Sequence, residues 1–292
     1  MNLASAKTAL RLVTGWPIRL FSYLLPASAL FALALAARRQ HAKLSDRGGP
    51  QIVLKALDHV FCSLRPAVVE VPFRQFRFFV RLNDPLHYSI LLGLHESEVL
   101  ECLRHQLKPG MVVFDVGANL GYFSMIAGEL VGEGGRIICV EPDPRVVEVL
   151  RKNVGVNGLK NATVVQAAAY NSSGEVSLGC APATSWSGIY YERPTRRVPV
   201  RALTLDSLLK QLGLDRVDFV KIDVEGAESV VLEGMPEILL RYRPHVLLEL
   251  HGDYSDSRVH PAVELLRASQ YAAHEITPRH VLGSPVEQNS YV

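Results

Sequence analysis

The stretch VVFDVGANLGYFSM, Val112 to Met125, most constrains what this chain can fold into. An apolar strand ends on an acid, glycines at 117 and 121 flank Asn119, and an apolar helical segment follows. A strand that turns on glycines into a helix brings its backbone close to whatever lies beyond the turn. Downstream the chain keeps alternating. RIICVE precedes PRVVEVLRKNVGVNG, which Gly158 stops, and ATVVQAAA follows as one strand. RVPVRALTLDSLLKQL carries a short strand into a helix. VDFVKIDV, EGAESVVLEGM, PHVLLELHG, HPAVELLRASQ and YAAHEI then read as strand, helix, strand, helix and strand. Continuous apolar strands between helices predict an α/β fold, a mostly parallel central sheet with helices on both faces. NSSGEVSLGCAPATSWSG is rich in Gly and Ser and reads as an insertion.

Ahead of this domain, taken as residues 110–292, two further regions are expected: an apolar segment and linker at 1–51 and a mixed accessory region at 52–109. Leu20 to Ala37 carries no charge, and Arg38, Arg39, Lys43 and Arg47 follow it. That length is at the threshold for a membrane span. Three readings stand side by side: an anchor or in-plane helix touching a membrane through residues 16–39, an ordinary packed helix, or a signal segment. Basic residues after the run would keep the following domain cytoplasmic. FRQFRFFVRL suggests a strand or hairpin. ESEVLECLRHQL has helical spacing, with Val99, Leu100, Leu103 and Leu107 on one side, and KPG ends it.

The 31 basic and 29 acidic residues leave a net charge of +2, so no global field recruits nucleic acid. Arg193, Arg196, Arg197 and Arg201 are a local basic cluster that reads as a solvated edge. Cys62, Cys102, Cys139 and Cys180 are far apart, without a CxxC pair, and Cys139, in the apolar strand RIICVE, reads as a buried free thiol, which fits a reducing compartment.

The glycine turn is not a dinucleotide fingerprint. G-x-G-x-x-G would need glycine at 119 and 122, where Asn119 and Tyr122 stand. The pattern is D-x-G-x-N-x-G, Asp115 to Gly121. Asp115, inside the strand end, can face a cationic group, and Glu141, closing the second strand, can accept both hydroxyls of a ribose. Candidate chemistry gathers at later strand ends. Asp223 finishes FVKID; Glu249 and His251 finish LLELH, two apart and so on one face. His251 has the natural pKa of a general base, with Asp223 or Glu249 to orient it. Lys221 is a partner for a neighbouring acid, while Glu225 and Glu228 suit a helix start. The three rim residues could also bind a metal, and Mg²⁺ would favour the two carboxylates, but no diagnostic metal spacing is present, so no metal ligand is assigned.

This arrangement resembles the first two motifs of class I S-adenosylmethionine-dependent methyltransferases. KPGMVVFDVGANLGYFS, TLDSLL, FVKIDVEGAESVVLEGM and LLELHG, in that order, are further similar to the FkbM family of those enzymes, over Leu92 to Gly252. The resemblance implies a Rossmann-like fold and methyl transfer to an oxygen, a hydroxyl of a sugar, glycolipid or secondary metabolite. It implies that Gly117, Asn119 and Gly121 pass under the methionine part of the cofactor. Asp115 would serve its ammonium, Glu141 its ribose, and Gln166 and Ala167, with Ala168, its adenine. Glu96 matches an acid often found upstream of the turn. Two other classes are kept open: a nucleotide-dependent oxidoreductase, and a non-catalytic membrane-associated binding module. The insertion around Ala181 to Arg197 and the N-terminal region would select the acceptor.

Overall fold

The computed structural model describes residues 68–81, 84, 86–87, 90, 97–181, 187–192, 194–252 and 260–286. The apolar run Leu20–Ala37, Cys62, Arg193 and Glu96 lie outside the described residues. Among those described, no helix is long and apolar enough to cross a membrane. The chain divides into two compact units between His95 and Glu96. The ESEVLECLRHQL helix goes with the larger unit.

In the smaller unit, β1 (Val68–Phe73) and β2 (Phe76–Arg81) form an antiparallel hairpin. This is the hairpin option that FRQFRFFVRL left open. Val69, Val71, Phe73, Phe76, Phe78 and Val80 are buried along it at period two, and Arg74 takes φ 54 in the turn.

The larger unit opens with α1 (Ser97–Gln106), whose Val99, Leu100 and Leu103 are buried, as is Leu107 just beyond it. The chain then lays down β3 (Val112–Val116), α2 (Tyr122–Val131), β4 (Arg136–Glu141), α3 (Pro144–Val156) and β5 (Ala162–Gln166). Later come β9 (Phe219–Ile222), α5 (Glu228–Glu233), a single π-helical turn at Ile238–Tyr242, β10 (His245–Glu249), α6 (Pro261–Ala268), β11 (Tyr271–Thr277) and β12 (His280–Pro285). One seven-stranded sheet results, in the order β11-β12-β10-β9-β3-β4-β5. The five strands from β10 to β5 are parallel, and β12 runs antiparallel to β10. Helices make the crossovers that parallel neighbours require. All five residues of β3 and all four of β9 are buried, as central strands covered on both faces must be.

One expectation needs correction. ATVVQAAA is not one strand. It breaks at Ala167, whose N–H donates to the Glu141 carbonyl at 3.2 Å. The break sends β6 (Ala168–Ala169) into a second sheet with β8 (Arg196–Leu203) and β7 (Gly174–Cys180), in the order β6-β8-β7. The Gly/Ser-rich stretch therefore contains a full strand, carried by Val176, Leu178 and Cys180, which pack with Val198 and Val200. After β8, α4 (Leu205–Gln211) is capped by Thr204, which accepts from Ser207 N–H at 3.1 Å.

Candidate active site

The glycine turn sits at the carboxyl end of β3, between β4 and β9. Gly117 has φ +79, and a Cβ there would stand 1.7 Å from the Asp223 carbonyl oxygen. The glycine is therefore demanded by the neighbouring chain: the turn's backbone lies directly against the end of β9. At Gly121, with φ +89, a Cβ would meet Leu150 of α3 at 2.6 Å. Asn119 takes φ 50 and uses its Oδ1 to accept from Leu120 N–H at 2.7 Å. Buried Asn153 of α3 donates to the Leu120 carbonyl at 2.8 Å and ties the turn down.

Glu141 braces the same turn from β4. Its Oε2 accepts from Asn119 N–H at 3.0 Å and its Oε1 from Asp143 N–H at 2.9 Å. Each oxygen keeps a further acceptor site. Burial pushes its pKa up to about 8. Asp143 caps α3 through Arg145 N–H. The Arg145 guanidinium reaches on to the Ala181 carbonyl at 3.3 Å and to Ser187 Oγ at 3.1 Å, tying the segment after β7 to the start of α3. Gln166 is exposed at the end of β5, and Ala167 is buried beside it.

Asp115 is buried behind the turn. Its Oδ2 accepts from Ser124 Oγ at 2.5 Å, and its Oδ1 has no hydrogen-bond partner among the described residues. Burial raises its pKa, against the pull of Lys221. Lys221 stands opposite Asp115 in strand register, its ammonium 4.6 Å from the Phe123 ring centroid and 3.0 Å from Asp223 Oδ2. The pairing with an acid expected from sequence is thus formed with Asp223. A desolvated cation over an aromatic face is worth about 2 kcal/mol, which offsets part of the cost of burying the ammonium.

Beyond Asp223, whose N–H donates to the Val116 carbonyl, the chain turns through Glu225 at φ 52 and Gly226 at φ 95. His251, two residues past Glu249, leans back over this turn. Its Nδ1 bonds Glu228 Oε1 at 2.9 Å; its Nε2 stands 3.6 Å from Glu225 Oε2 and 3.8 Å from Glu249 Oε1. The expected orienting residues, Asp223 or Glu249, are therefore not the ones that fix the ring. Glu228, 1% exposed, does so, and also accepts from Gly226 N–H.

Burial works against charge on His251, but the Glu228 bond and the Glu225, Asp223 and Glu228 carboxylates outweigh it and raise the pKa to about 9. The ring keeps its proton at neutral pH, unlike the free base expected from sequence. Burial pushes Glu225 up to about 7, with His251 opposing and Asp223 and Glu249 adding. Burial raises Asp223 too, against Lys221. For Glu249 burial is overcome by His280, Lys221 and His251, which hold it at about 2.

A doubly wound sheet with a glycine turn at its first strand, a carboxylate closing the second, and an acid-rich rim at the fourth and fifth is a class I S-adenosylmethionine-dependent methyltransferase. The methyltransferase FkbM domain matches residues 115–272, more than half of the chain, and the protein belongs to that family. It is similar to 31-O-demethyl-FK506 methyltransferase FkbM of Streptomyces tacrolimicus, with 31% identity over 56% of this chain and 75% of that one. It is similar to 2-O-methyltransferase NoeI of Sinorhizobium fredii, with 28% identity over 55% and 70%. Hexuronic acid methyltransferase AglP of Haloferax volcanii shares 25% identity over 64% and 75%. Among solved structures, the methyltransferase FkbM of Methylobacillus flagellatus aligns with a TM-score of 0.42 at 15% identity, covering 67% of this chain and 54% of that one.

Proposed function

We propose that this methyltransferase acts on a hydroxyl oxygen of a sugar, glycolipid or secondary metabolite. The observation that carries the reading is the contact between the two halves of the site. The Gly117 backbone lies against the Asp223 carbonyl, so a donor seated on the glycine turn meets the rim formed by Asp223, Glu249 and His251. The activities of the relatives support a sugar or secondary-metabolite acceptor. The uncharged run Leu20–Ala37 supports an acceptor met at the cytoplasmic face of a membrane.

In this reading Gly117, Asn119 and Gly121 pass under the methionine part. The negative field of Asp115 favours its ammonium, and the remaining acceptor sites of Glu141 take the ribose hydroxyls. Gln166 and Ala167 border the adenine. On the other side, Asp223, Glu249 and His251 orient the acceptor oxygen. The hydroxyl proton leaves to a rim carboxylate, Glu225 being the most open of them at 33% exposure. The oxygen lone pair forms the new O–C bond. The C–S bond breaks with its electrons kept on sulfur, which yields S-adenosylhomocysteine. The sulfonium methyl is already electrophilic, so alignment carries most of the rate, on the order of 7–11 kcal/mol when donor and acceptor are held in line.

Calorimetric titration of the full-length protein with S-adenosylmethionine and, separately, NAD tests this. Micromolar binding of the former is expected, weakened at least tenfold in Glu141→Ala and Asp115→Asn, with circular dichroism to check folding. Binding of NAD in its place would sink the reading. Methyl acceptance is then screened with hydroxylated glycans, glycolipids and polyketides.

A further inference from the structure

Three side chains of the acceptor rim come together, and two of them, Asp223 and His251, are held by hydrogen bonds to buried partners. One ligand atom each from Asp223, Glu249 and His251 lie within 4.8 Å of one another. Behind them, Lys221 Nζ holds Asp223 Oδ2 at 3.0 Å, and His280 Nε2 stands 3.7 Å from Glu249 Oε2. Buried Glu228 takes His251 Nδ1 at 2.9 Å. Such outer partners fix the tautomer and direction of metal-binding imidazoles and carboxylates. Here Nδ1 has a close partner, whereas Nε2 stands 3.6 and 3.8 Å from Glu225 and Glu249, beyond that range.

The charges around this point lean one way. Asp223, Glu225 and Glu249 converge on it, with the Lys221 ammonium and the His251 ring as the positive groups among them. Bonds of about 2.0–2.3 Å set neighbouring ligand atoms about 3 Å apart and opposite ones about 4.5 Å apart. Side-chain shifts of about 1 Å would close the trio on an ion. The sequence spacing is silent because the set is assembled by register: β9 contributes Asp223 at its end, β10 contributes Glu249 and His251, and the two strands pair from Phe219–His245 to Ile222–Leu248.

We propose that Asp223, Glu249 and His251 bind a divalent cation of the Mn²⁺ kind. Two carboxylates and one imidazole, which gives up its Nε2 proton as the ion binds, suit Mn²⁺, and three protein ligands leave positions for the acceptor. Binding of the cation stands on the rim geometry alone; its role rests on the function proposed above. There it would hold two neighbouring oxygens of the acceptor, as in a vicinal diol or a hydroxy acid. It would draw electron density from the hydroxyl to be methylated, so that its proton passes more readily to Glu225. No atom is added to or lost from the reaction already written.

The test uses the full-length protein after chelator treatment, titrated with Mn²⁺ and monitored by electron paramagnetic resonance, with Mg²⁺ and Zn²⁺ as competitors. One Mn²⁺ per chain is expected, weakened at least tenfold in Asp223→Asn and in Glu249→Gln, and about as much in His251→Gln. Retained S-adenosylmethionine binding shows that each variant is folded. Absence of Mn²⁺ binding in a chain that binds S-adenosylmethionine overturns the proposal. So does Mn²⁺ binding that all three variants keep, or capture of Zn²⁺ with Mn²⁺ refused. Mn²⁺ binding without S-adenosylmethionine binding would instead overturn the proposed function and leave the cation site standing.

Discussion

The two halves of the site are built from different materials. The turn between β3 and α2 is made of backbone: positive φ at Gly117, Asn119 and Gly121, peptide N–H groups held by Glu141, and glycines whose missing Cβ atoms let neighbouring chain segments approach. The rim at the ends of β9 and β10 is made of side-chain charge: Lys221, Asp223, Glu225, Glu228, Glu249 and His251 restrain one another across three elements. Backbone geometry fails all at once when a residue does not fit, whereas a charge network weakens by degrees. A substitution in the turn should therefore cost folding and cofactor together. One in the rim should cost turnover alone.

The largest effect is expected from Gly117→Ala. A methyl group 1.7 Å from a carbonyl oxygen, at φ +79, cannot be accommodated without moving β9 or the turn. A loss of about 3 kcal/mol or more is expected, read as a lowered midpoint of thermal unfolding, with loss of cofactor binding. A well-folded variant that still bound cofactor would break the comparison at its first half.

Next comes Glu228→Gln, which keeps the shape and the acceptor of the His251 bond but removes the charge. Turnover should fall about 10- to 100-fold with the cofactor dissociation constant unchanged. A parallel loss of cofactor affinity would show that the halves are not separable.

A smaller effect is expected from pH. Burial pushes the Glu141 pKa up to about 8, well above the usual carboxylate range. Hydroxyls donated by a ribose favour its ionised form, so cofactor affinity should rise as pH climbs towards 8 and level off above it. The slope should approach tenfold per pH unit at most, and calorimetry at several pH values should find it absent in Glu141→Gln.

The mildest change is Arg145→Ala, which frees the Ala181 carbonyl and Ser187. A rise of a few-fold in the Michaelis constant for the acceptor is expected, with little change for the cofactor, since each lost hydrogen bond is worth about 1 kcal/mol.

The same contrast governs how much was legible in the sequence. Asp115, Gly117, Asn119, Gly121 and Glu141 lie within two consecutive strand–turn units, and a turn's geometry is written into its own residues. The parallel core was readable because unbroken apolar strands between helices admit few other arrangements. The rim depends on which strands become neighbours. Glu228, on the helix after β9, reaches His251 only because β10 lies beside β9. His280 reaches Glu249 because β12, a strand with only VL as an apolar signal, returns antiparallel to β10 with those two residues paired. Lys221 faces Asp115 through strand register, which neither segment encodes alone. The break at Ala167 was likewise hidden, because three successive alanines carry no sign of a change of sheet.

The contact between Gly117 and the Asp223 carbonyl has a consequence for how such a scaffold diversifies. With the donor on this turn and the acceptor at the rim, as proposed, the span between methyl carbon and receiving oxygen would behave as a fixed gauge, and no new acceptor could be accommodated by stretching it. Variation is thereby directed outward, to peripheral segments such as the one that Arg145 tethers at Ala181 and Ser187. Like a socket with interchangeable collars, the molecule can change what it admits while the working distance inside stays constant.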